Sequence, residues 1–311
     1  MVKKIVLVKP RGLCAGVERT LRILDLVVKK SKGPVYCRHQ IVHNKKVVEE
    51  FVKRGVVFVE DLDQIPNGSV VVFSAHGSSP KFFTLAKNKN LTVIDGVCPL
   101  VVKVHLEAKK LNEAGYFIIY IGHKNHPEAI GVLGEIPAEN GVLIETLVEA
   151  KALQISKDNI AVLTQTTLCL DETKEIIEYL KNRFRNLFLP PTSDICFSTQ
   201  NRQKAVKELA KKVDVVLVIG SKTSSNSNRL RETAEKIGRP AYLLDGPEDL
   251  QNNWFENKEV IGITAGASVP DNLVQKVVDS IKNIYGGDIE ELEVLKEDVR
   301  FPNVPKEVKQ L

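Results

Sequence analysis

The sequence predicts an α/β protein made of three similar αβ units with mainly parallel sheets. Two observations support this prediction. Short apolar runs alternate with amphipathic helical segments, and one order of chemical motifs occurs three times along the chain. Alternation of this kind is typical of βαβ units, in which neighbouring strands are parallel. Ligands of such sheets bind beyond the carboxyl ends of the strands, near the beginnings of helices.

The apolar runs have the length of strands. They are KIVLV, VVVFSA, YFIIYIG, IAVLTQ, VVLVIG and EVIGITA. All of them are far shorter than a membrane span. The first apolar stretch ends before Lys9 and Pro10, which makes it too short for a signal peptide. We therefore expect a cytoplasmic protein without a membrane partner.

Length and charge narrow the class of protein further. With 311 residues and 43% apolar side chains, the chain is long enough for two or three domains with substantial cores. The formal net charge of +5 suits an anionic small molecule. No dense block of Lys and Arg occurs, so we expect no nucleic-acid partner.

Three of the five cysteines share one sequence context. An odd number of cysteines without an export signal argues against a disulfide framework, and no C-x-x-C pair is present. Cys14, Cys98 and Cys196 each precede a helical segment, at intervals of 84 and 98 residues. One such cysteine would be interpreted as a small buried residue, but three in register favour a shared function. Cys37 and Cys169 lie outside this register, and we interpret both as packing residues.

Polar motifs follow these three cysteines in the same order. The first motif places a polar residue 28 or 29 residues after the cysteine, and the second ends a later strand. The first motifs contain His43, His126 and Ser224, and the second contain His76, Thr166 and Ser268. We hypothesise that the loops of three αβ units converge on one central pocket with three thiols at its centre.

Three thiols from distant loops suit an iron–sulfur cluster. Thiolates bind soft metals, which leaves zinc and iron–sulfur centres as alternatives. Structural zinc sites usually complete four protein ligands, often from closely spaced pairs. Three ligands instead suit a [4Fe–4S] cluster whose fourth iron is left open as a Lewis acid and electron relay. Glycines beside Cys14 and Cys98 would let the backbone approach the inorganic sulfides.

The polar residues around the thiols are mostly neutral donors, which suit a phosphate or diphosphate. The chain has neither the phosphate-binding loop motif G-x-x-x-x-G-K-[ST] nor a strand-bounded G-x-G-x-x-G, so common nucleotide sites are disfavoured. The stretch SSNSNRLRE is also typical of a helix cap, and a cap and an anion site use the same free N–H groups. The candidates are His43, His76, His126, Thr166, Thr167, Ser224, Ser225, Asn226 and Ser268.

One carboxylate, Glu128 in NHPEAIG, is a candidate proton donor. In a pocket shielded from water its pKa would rise. A glutamate that caps the helix after Pro127 explains the spacing equally well, so both interpretations stay open. His39, His105 and His123 have no partner in the register, and we interpret them as structural or exposed.

These motifs, in this order, resemble those of the family of 4-hydroxy-3-methylbut-2-enyl diphosphate reductases. Enzymes of this family catalyse the last step of the methylerythritol phosphate route to isoprenoid precursors. The resemblance extends from about residue 4 to residue 281. Nine motifs carry it: RGLCAGV, IVHN, SAHG, DGVCPLV, GHKNHPE, TQTT, DICFSTQNRQ, GSKTSSNSNRLRE and TAGASVP.

The resemblance implies a trefoil of three αβ units around a central cleft. The units would comprise residues 14–97, 98–195, and 1–13 together with 196–281. The first strand would thus belong to the last unit. Residues 282–311 form a C-terminal tail that matches none of the motifs, and we expect it to pack across the surface or to stay mobile.

The resemblance also implies the site and its chemistry. Cys14, Cys98 and Cys196 match the three cluster ligands, with the fourth iron open to substrate. Glu128 matches the acid, and Thr166 matches the threonine near the substrate hydroxyl. The residues that match the diphosphate site are His43, His76, His126, Ser224, Ser225, Asn226 and Ser268.

The implied reaction is a reductive dehydroxylation to isopentenyl and dimethylallyl diphosphate. A ferredoxin- or flavodoxin-type donor would supply single electrons, and Glu128 would protonate the departing oxygen. Two alternatives remain. A zinc hydrolase with Glu128 as base lacks the H-E-x-x-H motif and has more thiols and histidines than one zinc needs. An iron–sulfur redox sensor for a phosphorylated metabolite lacks an evident DNA-binding helix.

Overall fold

The computed structural model describes residues 2–311, which form parallel strands joined by helices. The strands are β1 (Lys4–Lys9), β2 (Val35–Arg38), β3 (Val56–Val59), β4 (Val70–Phe73), β5 (Thr92–Asp95), β6 (Phe117–Ile121), β7 (Gly141–Ile144), β8 (Ile160–Thr164), β9 (Leu187–Phe188), β10 (Val215–Ile219), β11 (Ala241–Leu244), β12 (Val260–Ala265) and β13 (Asp288–Glu293). The helices are α1 (Ala15–Lys30), α2 (Lys45–Lys53), α3 (Pro80–Asn88), α4 (Pro99–Glu113), α5 (Pro127–Leu133), α6 (Leu147–Ala152), α7 (Leu170–Arg183), α8 (Phe197–Ala210), α9 (Ser225–Lys236) and α10 (Asp271–Tyr285).

The strands form three sheets, and the strand pairs in all three are parallel. Sheet A has the order β11-β10-β12-β1-β13, sheet B has β3-β2-β4-β5, and sheet C has β7-β6-β8-β9. The predicted α/β class with three mainly parallel sheets is confirmed.

The three sheets share one strand order. In each, the first strand lies between the second and the third, and a fourth strand lies beside the third. In sheet A the fourth place is taken by β1 from the start of the chain, which pairs with β12 in the register Lys4 to Val260. The repeat of motifs in the sequence therefore corresponds to a repeat of sheet topology.

Contacts divide the chain into two compact units. The first comprises residues 2–18, 42–50 and 197–300 and contains sheet A. The second comprises residues 19–41, 51–196 and 301–311 and contains sheets B and C. The finer division into three units at 14–97, 98–195, and 1–13 with 196–281 remains a prediction.

Buried apolar strands anchor each sheet. Residues of β10 and β8 are buried throughout, as expected of parallel strands that are covered on both faces. In sheet A, one face packs against residues such as Trp254 and Val277, and the other against Val206 and Leu230. These cores fix the positions of the strand ends, where the predicted site residues lie.

The C-terminal segment contains a strand that the sequence did not signal. β13 pairs with β1 along its whole length, from Lys4–Asp288 to Lys9–Glu293. Its sequence DIEELE is acidic and mostly exposed, unlike the apolar strands. Within residues 2–311, no helix combines the length and the apolar composition that crossing a bilayer requires.

Candidate active site

The predicted polar residues follow the first and the third strand of the strand order that the three sheets share. In this strand order, the chain leaves the first and the third strand on opposite sides, and ligands of open α/β sheets bind at such a crevice. The loop residues are His43 after β2, His76 after β4, His126 after β6, Thr166 after β8, Ser224 after β10 and Ser268 after β12.

The three cysteines in register lie after the fourth strand of each sheet, and one backbone hydrogen bond recurs at all three. In each case the cysteine amide donates to a carbonyl in the loop that follows the third strand. The bonds are Cys14 N to Ala267 O (3.1 Å), Cys98 N to Ala75 O (3.0 Å) and Cys196 N to Thr166 O (3.0 Å). The three thirds therefore share a local backbone structure as well as an order of motifs.

The same three cysteines have side chains suited to a thiolate-bound group. Cys14, Cys98 and Cys196 are partly exposed and unbridged, whereas Cys37 and Cys169 are buried. Burial strongly raises the pKa of the Cys37 thiol, which keeps it protonated and unreactive. The two classes of cysteine are thus separated by their surroundings.

Helix ends and glycines shape the surroundings of these thiols. Helices α1, α4 and α8 begin at the residue after Cys14, Cys98 and Cys196, where the helix dipole favours a thiolate. Gly12 has a φ of +69°, and a Cβ on Gly96 would lie only 2.5 Å from Phe73 O. Three partly exposed thiols at helix beginnings, with glycines in two of the loops, fit an iron–sulfur cluster by their donor chemistry.

Glu128 is fully enclosed and bound to Thr166. The carboxylate is 2% exposed. Thr166 N lies 2.7 Å from Oε1, and the Thr166 hydroxyl donates to Oε2 at 2.9 Å. The cap of α5 is instead provided by His126, whose Nδ1 accepts a hydrogen bond from Glu128 N at 3.2 Å. The carboxylate is therefore not the helix cap, which was the alternative interpretation.

Burial raises the pKa of Glu128 to about 7, even though the two hydrogen bonds from Thr166 lower it. The negative charge of Asp194 raises it further. The hydroxyl of Tyr120, also completely buried, has its pKa raised first by burial and then by the charge of Glu128. Glu128 can thus hold a proton near neutral pH, as a general acid must.

Two predicted histidines lie edge to face in the second unit. The ring centroids of His76 and His126 are 5.8 Å apart, and His39 lies 5.9 Å from His76. His76 Nδ1 is 3.2 Å from the Ser74 hydroxyl, and His39 Nδ1 is 2.9 Å from a carboxylate oxygen of Glu60. The place of His39 beside His76 was not predicted from the sequence. Its position directly after β2 was the available signal.

The other two histidines outside the register have structural contacts. His105 Nδ1 is 2.7 Å from Glu135. The ring fills space beside Gly77 and Gly131, where an added Cβ would lie 2.6 and 3.1 Å from Nε2. His123 Nδ1 lies 3.5 Å from a carboxylate oxygen of Glu145.

In the first unit, the loop after β10 combines a helix cap with a buried amide that has no partner. Ser224 caps α9 by accepting a hydrogen bond from Ser227 N at 3.2 Å. Asn226 is 4% exposed, and neither its amide nitrogen nor its amide oxygen has a hydrogen-bond partner. A buried amide without partners is costly, and a bound anion next to free helix N–H groups would give it one.

His43 is placed by its neighbour Asn44. The Asn44 amide donates to Ser268 O at 2.9 Å, and the Ser268 hydroxyl donates to His43 O at 3.0 Å. Asn44 Oδ1 also accepts from Val47 N at 3.1 Å, which fixes the start of α2. The segment with His43 is thereby attached to the loop that follows β12.

The predicted residues fall into two groups, one in each compact unit. Thr167 belongs to the second group, and its hydroxyl accepts a hydrogen bond from Gln165 Nε2 at 2.8 Å. The first unit contains Cys14, His43, Ser224, Ser225, Asn226 and Ser268, and the second contains Cys98, Cys196, His76, His126, Glu128, Thr166 and Thr167.

The sequence pattern of the LytB protein family matches residues 5–282 of this chain. The chain belongs to the LytB protein family. Relatives of the LytB chain include the 4-hydroxy-3-methylbut-2-enyl diphosphate reductase of Pseudomonas entomophila, 48% identical over 310 residues that cover 98% of both chains. The enzyme of that name from Photobacterium profundum is 45% identical over 308 residues, again 98% of both chains.

Solved structures of related reductases match this LytB chain along most of its length. The E-1-hydroxy-2-methyl-but-2-enyl-4-diphosphate reductase from Plasmodium falciparum is 35% identical, with a TM-score of 0.96 over 100% of this chain and 98% of the other. A second structure, of (E)-4-hydroxy-3-methyl-but-2-enyl diphosphate reductase, is 34% identical, with a TM-score of 0.66 over 91% and 100%. β13 lies beyond the part matched by the LytB pattern, but within these full-length similarities.

Proposed function

We propose that this chain reduces 4-hydroxy-3-methylbut-2-enyl diphosphate. The substrate takes up two electrons and two protons, its C–O bond breaks, and water leaves together with isopentenyl or dimethylallyl diphosphate. Curated relatives with 45–48% identity have the name of this reductase. The observation that carries the proposal is the equivalent position of three partly exposed cysteines, each with the same amide hydrogen bond.

Cys14, Cys98 and Cys196 are the ligands we propose for a [4Fe–4S] cluster. When bound, a cluster with three thiolate ligands supplies one-electron transfer and one open iron that acts as a Lewis acid. A partner of ferredoxin or flavodoxin type would deliver the electrons singly. The contribution of the chain is to hold three thiolates at helix beginnings, where the peptide dipoles stabilise their charge.

Glu128 is the proposed proton donor. Hydroxide is a poor leaving group, so the departing oxygen must gain a proton as the C–O bond breaks. The pKa of about 7 leaves a large fraction of Glu128 protonated at neutral pH. The Thr166 hydroxyl bonds directly to the carboxylate, so it can orient Glu128 and pass the proton towards the substrate.

We propose that neutral hydrogen-bond donors of the loops bind the diphosphate of the substrate. Ser224, Ser225 and Asn226 lie at the beginning of α9, where backbone N–H groups attract an anion. Ser268 follows β12, and β12 pairs with β10, the strand that leads into α9. The remaining members of the proposed set are the imidazoles His43, His76 and His126.

Anaerobic purification, followed by iron and sulfide analysis and by turnover with a chemical reductant, tests this function. We expect a brown protein with about four irons per chain and a broad absorption band near roughly 400 nm. It should convert the allylic diphosphate to the two products. A zinc-loaded protein would favour the hydrolase. An iron–sulfur protein that binds the diphosphate without turnover would favour the sensor.

A further inference from the structure

Arg202 is the largest of the fully enclosed side chains in the described structure, and the proposed reaction does not use it. It lies on α8, the helix that begins directly after Cys196. The guanidinium is a cation with five N–H donors and no acceptor. Its burial at 1% exposure is tolerated only if its hydrogen bonds and its charge are satisfied.

The guanidinium binds the loop that carries Cys14. Nε and Nη2 donate to Gly12 O at 3.1 and 2.8 Å, and Nη2 also lies 3.2 Å from Leu13 O. Nη1 donates to Ser198 O at 3.0 Å. Arg202 thus joins the two residues before Cys14 to the first turn of α8.

Glu297, from the segment that follows β13, supplies the balancing charge. Its carboxylate lies 3.0 Å from Arg202 Nη1, and its side chain is only 11% exposed. The same carboxylate accepts a hydrogen bond from Asn201 Nδ2 at 3.1 Å. Two neighbouring side chains of α8 are therefore bound by one residue near the end of the chain.

The segment also contacts the loop directly. Val294 N donates to Lys9 O at 3.1 Å, and Arg11 forms an ion pair with Glu291 at 3.0 Å. These contacts lie at the start of the Cys14 loop, while those of Arg202 lie at its end. Residues 288–297 therefore hold the loop at both ends.

The opposite side of the loop is bound to sheet A. Gly12 N donates to Ala265 O, and Cys14 N donates to Ala267 O, both at 3.1 Å. With a φ of +69° and Val269 O nearby, Gly12 is confined to this conformation. The loop thus lies between the strand ends of sheet A and the guanidinium.

We propose that residues 288–297 clamp the Cys14 loop, with Arg202 and Glu297 as positioning residues that fix the Cys14 thiol before a cluster binds. Removal of either charge leaves the other buried without its partner, which weakens the hold on Gly12 and Leu13. That Cys14 is a cluster ligand rests on the proposed function. The clamp itself is a property of the protein without a cluster.

Hydrogen–deuterium exchange of the iron-free protein tests the clamp. We expect the peptide 10–16 to exchange about tenfold faster than in the wild type in two variants: Glu297→Gln, which removes the charge that balances Arg202, and Arg202→Lys, which keeps the charge but loses the forked donors to Gly12 and Leu13. The peptide 95–101 around Cys98 should be unchanged, and so should both peptides in the charge-matched control Asp298→Asn, whose residue is exposed. Unchanged exchange at 10–16, or an equal increase throughout the first unit, would overturn the clamp.

Cluster release separates this inference from the proposed function. After anaerobic reconstitution, we expect Glu297→Gln to release iron to a chelator about tenfold faster than Asp298→Asn. Equal release rates would contradict a role of the clamp towards the cluster. A wild type that takes up no iron at all would refute the proposed function, and the exchange experiment on the iron-free protein would still decide the clamp.

Discussion

Sheets A and C place their central strands in the same order, yet the loops after those strands differ in chemistry. In sheet C these loops bring a carboxylate, Glu128, against Thr166. In sheet A they contain the neutral side chains Ser224, Asn226 and Ser268. One backbone plan therefore carries two different sets of side chains, for which we propose a proton donor in sheet C and an anion site in sheet A.

The loops of sheets A and C also differ in whether their buried polar groups have hydrogen-bond partners. Both oxygens of Glu128 are hydrogen-bonded by Thr166, whereas the buried amide of Asn226 has no partner. A satisfied group is held in one orientation, and an unsatisfied buried group adds free energy that a ligand can relieve. The difference shows that the Glu128 carboxylate is held in place by the protein alone, whereas the Asn226 amide is left to be satisfied by a bound group.

The largest effect on activity is expected at the feature that all three sheets share, the cysteine that follows the fourth strand. Cys98→Ser should abolish both iron binding and turnover, because the hydroxyl is a poor substitute for a thiolate on a soft metal. Iron content and turnover after anaerobic reconstitution measure this. Cys169→Ser, at a buried cysteine outside the register, is the matched control and should be nearly silent. A colourless Cys169→Ser protein would show that the wrong thiols have been chosen.

Glu128→Gln addresses the chemistry that only sheet C has. We expect kcat to fall by about 10² to 10⁴, because the amide cannot donate the proton of a carboxylic acid. The iron content should remain that of the wild type, and the KM should change little. Glu139→Gln, at an exposed glutamate, is the control. Near-normal turnover by Glu128→Gln would refute its role as the acid.

The raised pKa of Glu128 also predicts a dependence of stability on pH. The folded-state pKa of about 7 exceeds the ordinary value of 4.5, so ionisation favours unfolding. The wild type should therefore lose stability relative to Glu128→Gln as the pH rises from about 4 to 8, by about 3 kcal/mol in total. Urea unfolding of both proteins at the two pH values measures this. A constant difference between them would contradict the raised pKa.

In sheet A we expect two smaller effects of opposite benefit from one substitution, a gain in stability and a weaker affinity for the diphosphate. Asn226→Ala should stabilise the unliganded protein by about 1 kcal/mol, because it removes an unsatisfied buried amide, and should raise the KM for the diphosphate about tenfold. Asn228→Ala on the same helix is the matched control. The Asn228 amide already donates to Lys222 O and Ser224 O, so its loss should destabilise the protein. The same sign of stability change in both variants would contradict the comparison.

The strands and the order of the site loops could be predicted because their signals are local. An apolar run such as VVLVI, followed directly by GSKTSS, shows both β10 and the loop that ends it. The position of His39 directly after β2 was visible in the sequence, but its approach to His76 depends on the parallel pairing of β2 with β4, which joins distant residues.

Other features depend on contacts between distant residues. β13 has no apolar run, and its ion pairs with β1, between Lys4 and Glu290 and between Lys9 and Glu291, join residues far apart in the sequence. The unsatisfied amide of Asn226 and the buried ion pair of Arg202 are properties of packing. No periodicity in a single segment encodes them.

The position of β1 in sheet A has a consequence for synthesis of the chain. β1 leaves the ribosome first, but Lys4 must wait for Val260 of β12 and then for Asp288 of β13. At about 5–20 residues per second, synthesis of the stretch from Lys4 to Val260 takes roughly 13 to 50 seconds. Sheets B and C, whose strands all lie between residues 35 and 188, are complete earlier. Sheet A is therefore the last to close, and in a nascent chain the apolar residues of IVLV lack their strand partners until β12 and β13 have been synthesised.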